Sequence, residues 1–269
     1  MAHSHLKVLR NIARGGLADI SLAIDARGEH CVVRKLHRHL ALKLRPHWYF
    51  RRGMRVRRRL SPHPNIVGPI GHGYDGVCPY EIIEYVPGEN LHEMIVHKRP
   101  ELQDCALQIL RQTALAISHV HNKGMLHLDV KAENVLVNYT DMEAGVIVKL
   151  TDFDMSRRYR TVNRKLRCGT ASHMAPEQLC GGKVSFLNDI FAFGVMAYYM
   201  VTGKMPFHGF SVKELRHRQV SKSFHIAEPR KLNPDLTPKL NWLILRCLEK
   251  DTNHRFPNMA YLVQELGRL

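Results

Sequence analysis

HLDVKAENVLV, from His127 to Val137, and TDFD, from Thr151 to Asp154, are the two stretches that decide how this chain is interpreted. Between them, the apolar segments NVLVN and GVIVKL predict the two strands of a hairpin. The hairpin is flanked by a lysine and three side chains that carry oxygen. These polar residues are Asp129, Lys131, Asn134 and Asp152.

Phosphoryl transfer from a nucleotide requires this combination of groups. The metal ions on the phosphates need hard oxygen ligands, usually carboxylates or amides. The accepting hydroxyl needs a carboxylate that orients it and takes its proton, and the phosphate in transfer needs a cation that stays charged near neutral pH. The four polar residues around the hairpin match this list.

The two stretches also resemble known motifs. HLDVKAENVLV is similar to the catalytic loop of eukaryotic-type (Hanks-type) serine/threonine protein kinases, and TDFD is similar to their metal-binding motif. The APE of MAPEQL, at Ala175 to Glu177, closes a segment of 26 residues that begins at Asp152. DIFAFG and a late Arg255 follow in the order typical of the family, so the resemblance extends from Leu6 to Leu269.

This resemblance implies an α+β, bilobal protein-kinase-like fold. We expect one kinase domain over residues 1–269, with an N-lobe at 1–83 that is rich in antiparallel strands. We expect a hinge at 84–90, which connects the N-lobe to a larger, α-helical C-lobe at 91–269. The sequence pattern agrees: strand-like segments precede residue 87, and DCALQILRQTALAISHVHNKG and NDIFAFGVMAYYMVTG predict helices beyond it.

The resemblance also assigns roles to individual residues. Asp129 is the expected catalytic carboxylate, Lys131 steadies the phosphate in transfer, and Asn134 and Asp152 hold Mg²⁺ or Mn²⁺. ATP is the expected cofactor and a protein hydroxyl the acceptor. In the N-lobe, IARGGLADI resembles a glycine-rich loop and CVVRKL the strand that carries the phosphate-pairing lysine. The expected nucleotide contacts are Ala13, Gly15, Ala18, Ile20, Val33, Lys35, Ile83, Glu84, Val86, Asn90 and Leu136.

Three positions depart from the family pattern. The N-lobe helix normally supplies a glutamate to the lysine, but Gly53 stands near that place, and no acidic residue lies between Cys31 and Tyr74. Asp154 replaces a customary glycine, and Leu128 replaces an arginine. We therefore expect a helix that is short, displaced or irregular around Gly53, and a Lys35 that finds another anion, such as Asp152 or a bound phosphate.

Other residues of the motifs predict structure rather than chemistry. Glu177 and Arg255 are expected to form a buried ion pair, and Asp189 to accept N–H groups of the catalytic loop. His127 and Phe153 are expected in the core behind the site.

Charge and composition leave other functions open. The chain carries a net charge of +16, and the stretch from Arg34 to Leu60 has eleven Lys or Arg and no acid. This stretch, with a second basic run at Arg157 to Arg167, predicts either a solvated basic face or an anionic partner, and it is compatible with an acidic protein substrate. The alternatives to an active kinase are a pseudokinase that binds nucleotide or protein, and a basic docking module. The absence of a long apolar run and the scattered cysteines indicate a cytoplasmic location without a membrane span.

Overall fold

The computed structural model describes residues 6–139, 145–161 and 169–269, and its first part is an antiparallel sheet of five strands. The strands are β1 (Lys7–Arg14), β2 (Ala18–Ile24), β3 (His30–Leu36), β4 (Pro69–Asp75) and β5 (Cys78–Glu84). Their order in the sheet is β1-β2-β3-β5-β4. Each of these strands lies in a segment that the sequence pattern predicts as extended.

One long helix, α1 (Leu44–Leu60), packs on this sheet. Its buried apolar residues include two pairs at helical spacing of four residues, Phe50 with Met54 and Val56 with Leu60. The helix runs without interruption through Gly53, although glycine in a helix interior costs about 1 kcal/mol relative to alanine. The expectation of a short or irregular helix around Gly53 is therefore wrong.

Helices dominate the rest of the chain. They are α2 (Leu91–Val96), α3 (Glu101–Asn122), α4 (Pro176–Leu179), α5 (Phe186–Thr202), α6 (Val212–Val220), α7 (Pro229–Leu232), α8 (Pro238–Cys247) and α9 (Met259–Leu266). This part of the chain also contains short strands: β6 (Glu89–Asn90), β7 (Met125–Leu126), β8 (Val135–Asn138), β9 (Ile147–Leu150) and β10 (Arg157–Arg158). The predicted hairpin is formed by β8 and β9.

The main hydrophobic core lies among these helices. α3 contributes Leu110, Ala114, Ile117 and Val120, and it ends just before Gly124, whose φ of 69° suits glycine. α5 is buried on nearly all sides, as its apolar sequence predicts. A strand-rich first part followed by a helical second part is the bilobal architecture expected of a protein kinase.

The sheet and the helical part meet along a cleft. Beside the cleft, the backbone N–H of Val67 donates to the carbonyl of Leu150 at 3.1 Å, and the N–H of Leu150 donates to Asn65 at 2.9 Å. These bonds anchor the segment before β4 to the β8–β9 hairpin. Among the described residues, no helix combines the length and apolar character needed to cross a membrane.

Candidate active site

The β8–β9 hairpin brings the predicted metal ligands to one end of the cleft. Asn134 directly precedes β8, Asp152 follows β9 by two residues, and Val135 pairs with Leu150 across the hairpin. The N–H of Thr151 donates to the carbonyl of Asn134 at 2.9 Å, which closes the end of the hairpin. The two oxygen-bearing side chains therefore line the same cavity.

The catalytic loop is fixed from below by Asp189. Its carboxylate accepts the backbone N–H groups of His127 and Leu128, both at 2.8 Å. Leu128 has a φ of 66° in the left-handed region, which side chains rarely adopt, so these bonds hold an unfavourable turn in place. Burial opposes the ionised form of Asp189, but hydrogen bonds and charge from His121 outweigh it and lower its pKa. The predicted role of Asp189 is confirmed.

Asp129 stands at the centre of a small polar cluster. Thr170 donates its N–H and its hydroxyl to Oδ1 of Asp129, at 3.0 and 2.8 Å, and Asn134 donates its Nδ2 to Oδ2 at 3.3 Å. Lys131 Nζ lies 3.3 Å from Oδ2. Burial disfavours the charged carboxylate, but Lys131 and the Thr170 hydroxyl outweigh it and hold the pKa of Asp129 below its ordinary value. Asp129 is therefore ionised at neutral pH and able to accept a proton.

The cleft itself encloses about 280 Å³, near the lower end of the roughly 300–1,000 Å³ typical of small-molecule sites. One end is apolar and the other is polar. The apolar lining includes Ile12, Ala13, Ile20, Val32, Ile83, Val86 and Leu136. The polar lining includes Arg34, Glu84, Asn90, Asn134 and Asp152.

The register of β3 corrects two predicted nucleotide contacts. Val32 and Arg34 lie opposite Ile83 and Glu81 of β5 and line the cleft. Because side chains alternate along a strand, Val33 and Lys35 point to the other side of the sheet. Lys35 pairs there with Asp75 at 3.1 Å, half exposed. Arg34, one residue before Lys35, lines the cleft together with Arg10, whereas Lys35 is not among the lining residues and forms its ion pair with Asp75 rather than Asp152.

The glycine-rich stretch is also corrected in part. Ala13 and Ile20 line the cleft, but Gly15 and Ala18 are not among its lining residues. Ala18 is buried against Leu36 in the core of the sheet, where glycine is not needed. Gly15 forms the turn between β1 and β2, and its N–H donates to the carbonyl of Ala18 at 2.9 Å.

Glu84, which ends β5, and Val86 and Asn90, which follow it, line the cleft, but the side chains of Glu84 and Asn90 are already engaged. The N–H of Glu84 donates to Gly68 at 3.0 Å, while its carboxylate binds Lys149 at 2.6 Å. Asn90 caps α2 by accepting the N–H of Glu93 at 2.9 Å, and Glu89 pairs with Arg99. Backbone groups of this segment are therefore better placed than its side chains to meet a ligand.

Arg34 is held by carboxylates that the sequence interpretation did not connect with it. Its Nη1 donates to Glu81 at 3.1 Å and its Nη2 to Asp154 at 2.9 Å, with Asp152 at 3.7 Å from the same nitrogen. Burial opposes its charge, but Asp154, Asp152 and Glu81 outweigh it and raise the pKa of Arg34. Arg57 of α1 also binds Glu81, at 3.1 Å.

Glu81 is the functional residue that sequence reasoning missed. It is 1% exposed in the middle of β5, a strand that otherwise reads as apolar on this face. A glutamate at such a position signals a buried cation nearby, because isolated buried charge is costly. The acid-free stretch from Cys31 to Tyr74 carries the arginines that meet it.

The remaining structural predictions hold. Arg255 makes two bonds to the carboxylate of Glu177, at 2.9 and 2.8 Å. His127 and Phe153 are fully buried and in edge contact, with ring centroids 5.2 Å apart. Leu128 packs in an apolar cluster with Leu126 and Val184, so the position of the missing arginine is filled by apolar packing.

Comparisons with known proteins agree with this arrangement. The fold is that of a protein kinase domain. The sequence profile described as "Protein kinase domain" matches residues 6–265, and the chain therefore belongs to this family, among the Hanks-type serine/threonine members.

The relatives described here are bacterial proteins. A probable serine/threonine-protein kinase of Clostridium acetobutylicum is 29% identical over 277 residues, which cover 98% of this chain and 39% of the relative. PrkC of Bacillus subtilis is 29% identical, with 93% and 38% covered, and PknB of Mycolicibacterium smegmatis is 28% identical, with 95% and 41% covered. The chain thus spans about two fifths of the length of these relatives.

Proposed function

We propose that this domain is an ATP-dependent serine/threonine protein kinase that transfers the γ-phosphate to a protein hydroxyl. The observation that carries the proposal is the Asp129 cluster, which lies beside a cleft lined by Asn134 and Asp152. All three relatives described above are named serine/threonine-protein kinases. We also propose the lobe boundaries at 1–83 and 91–269, with 84–90 as the hinge, because the sheet ends at Glu84 and α2 begins at Leu91.

The residues of the cleft fit a nucleotide and a divalent cation. The apolar end between Val32, Ile83 and Leu136 suits a flat aromatic base, and Glu84 and Val86 supply backbone groups at its edge. Asp152 and the amide oxygen of Asn134 are the hard ligands that Mg²⁺ or Mn²⁺ takes. When bound, the metal ion would neutralise charge on the phosphates.

The chain's own residues then divide the work. Asp129 orients the acceptor hydroxyl and takes its proton, since its carboxylate is ionised. Lys131, within 3.3 Å of Asp129 and 3.2 Å of the Thr170 hydroxyl, supplies positive charge beside the phosphate in transfer. Arg34 supplies buried positive charge on the strand side of the cleft, in place of a lysine.

Transfer from radiolabelled ATP tests the proposal. Wild-type protein, with Mg²⁺ or Mn²⁺ and either an acidic or a basic generic protein substrate, is expected to incorporate label. Asp129→Asn should lower incorporation by about two orders of magnitude or more, because it removes the proton acceptor. Asp235→Asn, at an exposed position far from the cleft in sequence, is the matched control and should leave the rate unchanged. Label that is unaffected by Asp129→Asn contradicts the proposal.

A pseudokinase is the competing hypothesis, and the absence of a glutamate on α1 is what favours it. The same proteins separate the two hypotheses in a thermal shift experiment. Stabilisation by MgATP without incorporation of label indicates a binding module. The active kinase is favoured by the ion pairs of Arg34, because Glu81 and Asp154 supply carboxylates to it where α1 supplies none.

Two further proposals concern partners and location. Arg34, Arg52 and Arg57 of the basic stretch are buried, so an anionic partner would have to meet the exposed cations that remain. These are Arg38, Lys43, Arg45, Arg51, Arg55, Arg58 and Arg59. Binding to a polyanion that does not weaken as salt rises would contradict this proposal. Of the second basic run, residues 162–168 lie outside the described part of the chain. We propose a cytoplasmic location for this domain because its expected phosphate donor is ATP.

A further inference from the structure

Gly53 of α1 and Asp154, the residue after Phe153, are in direct contact, and the side chain of Asp154 fills the space where a side chain at position 53 would lie. A Cβ atom built on Gly53 would overlap Oδ1 of Asp154 and would lie 3.0 Å from its Cγ and 3.2 Å from its Cα. Oδ1 is fully buried and has no hydrogen-bond partner among the described residues. Gly53 therefore leaves room for a carboxylate that reaches α1 from the other lobe.

The Asp154 carboxylate has a defined partner. Its Oδ2 accepts from Arg34 at 2.9 Å, and its backbone carbonyl accepts from Arg52 of α1. Burial raises the pKa of Asp154 to about 7, with Arg34 opposing this shift and Asp152 adding to it. The non-glycine residues described with positive φ are Lys98, Leu128 and Asp152, so position 154 does not need glycine. The aspartate is thus tolerated by the backbone, and its side chain is directed at Arg34.

We propose that Asp154 is the positioning residue for the cleft cation Arg34, and that it takes the place of a carboxylate on α1 at position 53. Glu81 completes the clamp by holding the other guanidinium nitrogen at 3.1 Å. Gly53 and Asp154 both depart from the family pattern. In this interpretation the second departure compensates for the first, because the carboxylate of Asp154 replaces the one that is missing at position 53. The inference deepens the proposed kinase function and rests on it.

The clamp also explains why arginine can serve at this position. A guanidinium is planar and donates from several nitrogens in fixed directions, so it can bind two carboxylates at once. Glu81 and Asp154 use Nη1 and Nη2. The orientation of the group is then set by β5 and by the segment after Phe153, and α1 contributes through Arg57 and the space at Gly53.

A swap of positions tests the proposal. Four proteins are compared: wild type, Asp154→Gly, Gly53→Glu and the double variant Gly53→Glu/Asp154→Gly. Asp154→Gly should raise KM for ATP about tenfold to a hundredfold, because Arg34 loses a charge-assisted bond, and should leave KM for the protein substrate unchanged. The double variant should recover most of this loss, since a glutamate at position 53 reaches the vacated space.

Gly53→Gln/Asp154→Gly is the matched control. Glutamine has the shape and helix propensity of glutamate without its charge. It should not recover the KM for ATP. Recovery by glutamine as well as glutamate would overturn the proposal, and so would an Asp154→Gly variant with an unchanged KM for ATP.

Urea unfolding of the same proteins gives a result that does not depend on activity. Gly53→Glu should lower the unfolding midpoint in wild type, where it collides with Asp154, and should raise it in the Asp154→Gly background beyond the level of Gly53→Gln. If Gly53→Glu shifts the unfolding midpoint in the same direction in wild type and in Asp154→Gly, the proposal that Asp154 replaces a carboxylate at position 53 is overturned. If none of these proteins transfers phosphate but the midpoint shifts in opposite directions in the two backgrounds, the proposed function fails. The proposal that Asp154 takes the place of a carboxylate at position 53 is then still supported.

Discussion

At the scale of single residues, His173 shows how burial sets a charge state. It is 8% exposed beneath the segment that carries Thr170, and its Nε2 has no partner among the described residues. Burial lowers its pKa from 6.5 to about 4, against the attraction of Glu133 and Asp129. The imidazole is therefore predominantly neutral in the folded protein from about pH 5 upward.

This predicts a pH dependence of stability. Between pH 4 and 6.5 the unfolded chain binds a proton at this histidine and the folded chain does not, so stability falls as pH drops through that window. From pH 7.5 to 5 the loss due to His173 is about 2 kcal/mol. His173→Tyr, which replaces the imidazole with an aromatic side chain that does not ionise in this range, should lose about 2 kcal/mol less from pH 7.5 to 5 in urea unfolding. Equal losses in both proteins would show that His173 does not cause the dependence.

Single residues were also where the sequence predicted least. Asp129, Asn134 and Asp152 follow from their motif, because the spacing around a hairpin fixes where they meet. Arg34 and Lys35 are adjacent cations, and the motif alone does not say which one faces the cleft. Only the pairing of β3 with β5 decides this, since a shift of one residue exchanges the two faces of a strand.

At the scale of elements, α1 is held to the sheet by buried charge as well as by apolar packing. Arg57 is fully buried and binds Glu81 at 3.1 Å and the carbonyl of Val67 at 3.1 Å, while its guanidinium lies 5.3 Å from the ring centre of Phe153. Burial lowers its pKa, and Glu81 opposes that shift. One side chain thus connects the helix, the sheet and the start of the helical lobe.

Loss of this side chain should be costly. Arg57→Leu removes one partner of a buried pair, and such changes cost about 3–5 kcal/mol. We expect the lower end of this range, because Arg34 still pairs with Glu81. Arg58→Leu, at the exposed neighbouring position, should change the free energy of unfolding by less than about 0.5 kcal/mol. Equal urea midpoints for the two variants would contradict this role of Arg57.

The course of α1 could be predicted only in part. Its helical pattern and its end before Ser61 are visible in the sequence, but Gly53 indicated a break that does not exist. The missing information was the contact with Asp154, which lies 101 residues away in the chain. Glycine is unfavourable in the interior of a helix, but at position 53 its lack of a side chain leaves space for a distant carboxylate.

At the scale of the whole molecule, the two lobes were predictable because their sequence textures differ. Alternating short segments precede the hinge, and helical periods of three and four residues follow it. The distribution of positive charge was less predictable. The basic stretch divides into exposed cations and three buried arginines, and the buried ones are countered by Glu81 and by the carboxylate and backbone carbonyl of Asp154.

We propose that the cleft between the lobes binds a nucleotide and that Arg34, rather than Lys35, supplies positive charge to its phosphates. The most direct test is the Kd for MgATP, measured by calorimetry for wild type, Arg34→Gln and Lys35→Gln. We predict that Arg34→Gln weakens binding about tenfold or more, and that Lys35→Gln changes it by less than about twofold. Lys35 lies on the outer side of the sheet, so its variant is expected to fold normally. Strong loss of binding in Lys35→Gln, or unchanged binding in a folded Arg34→Gln, would contradict the claim.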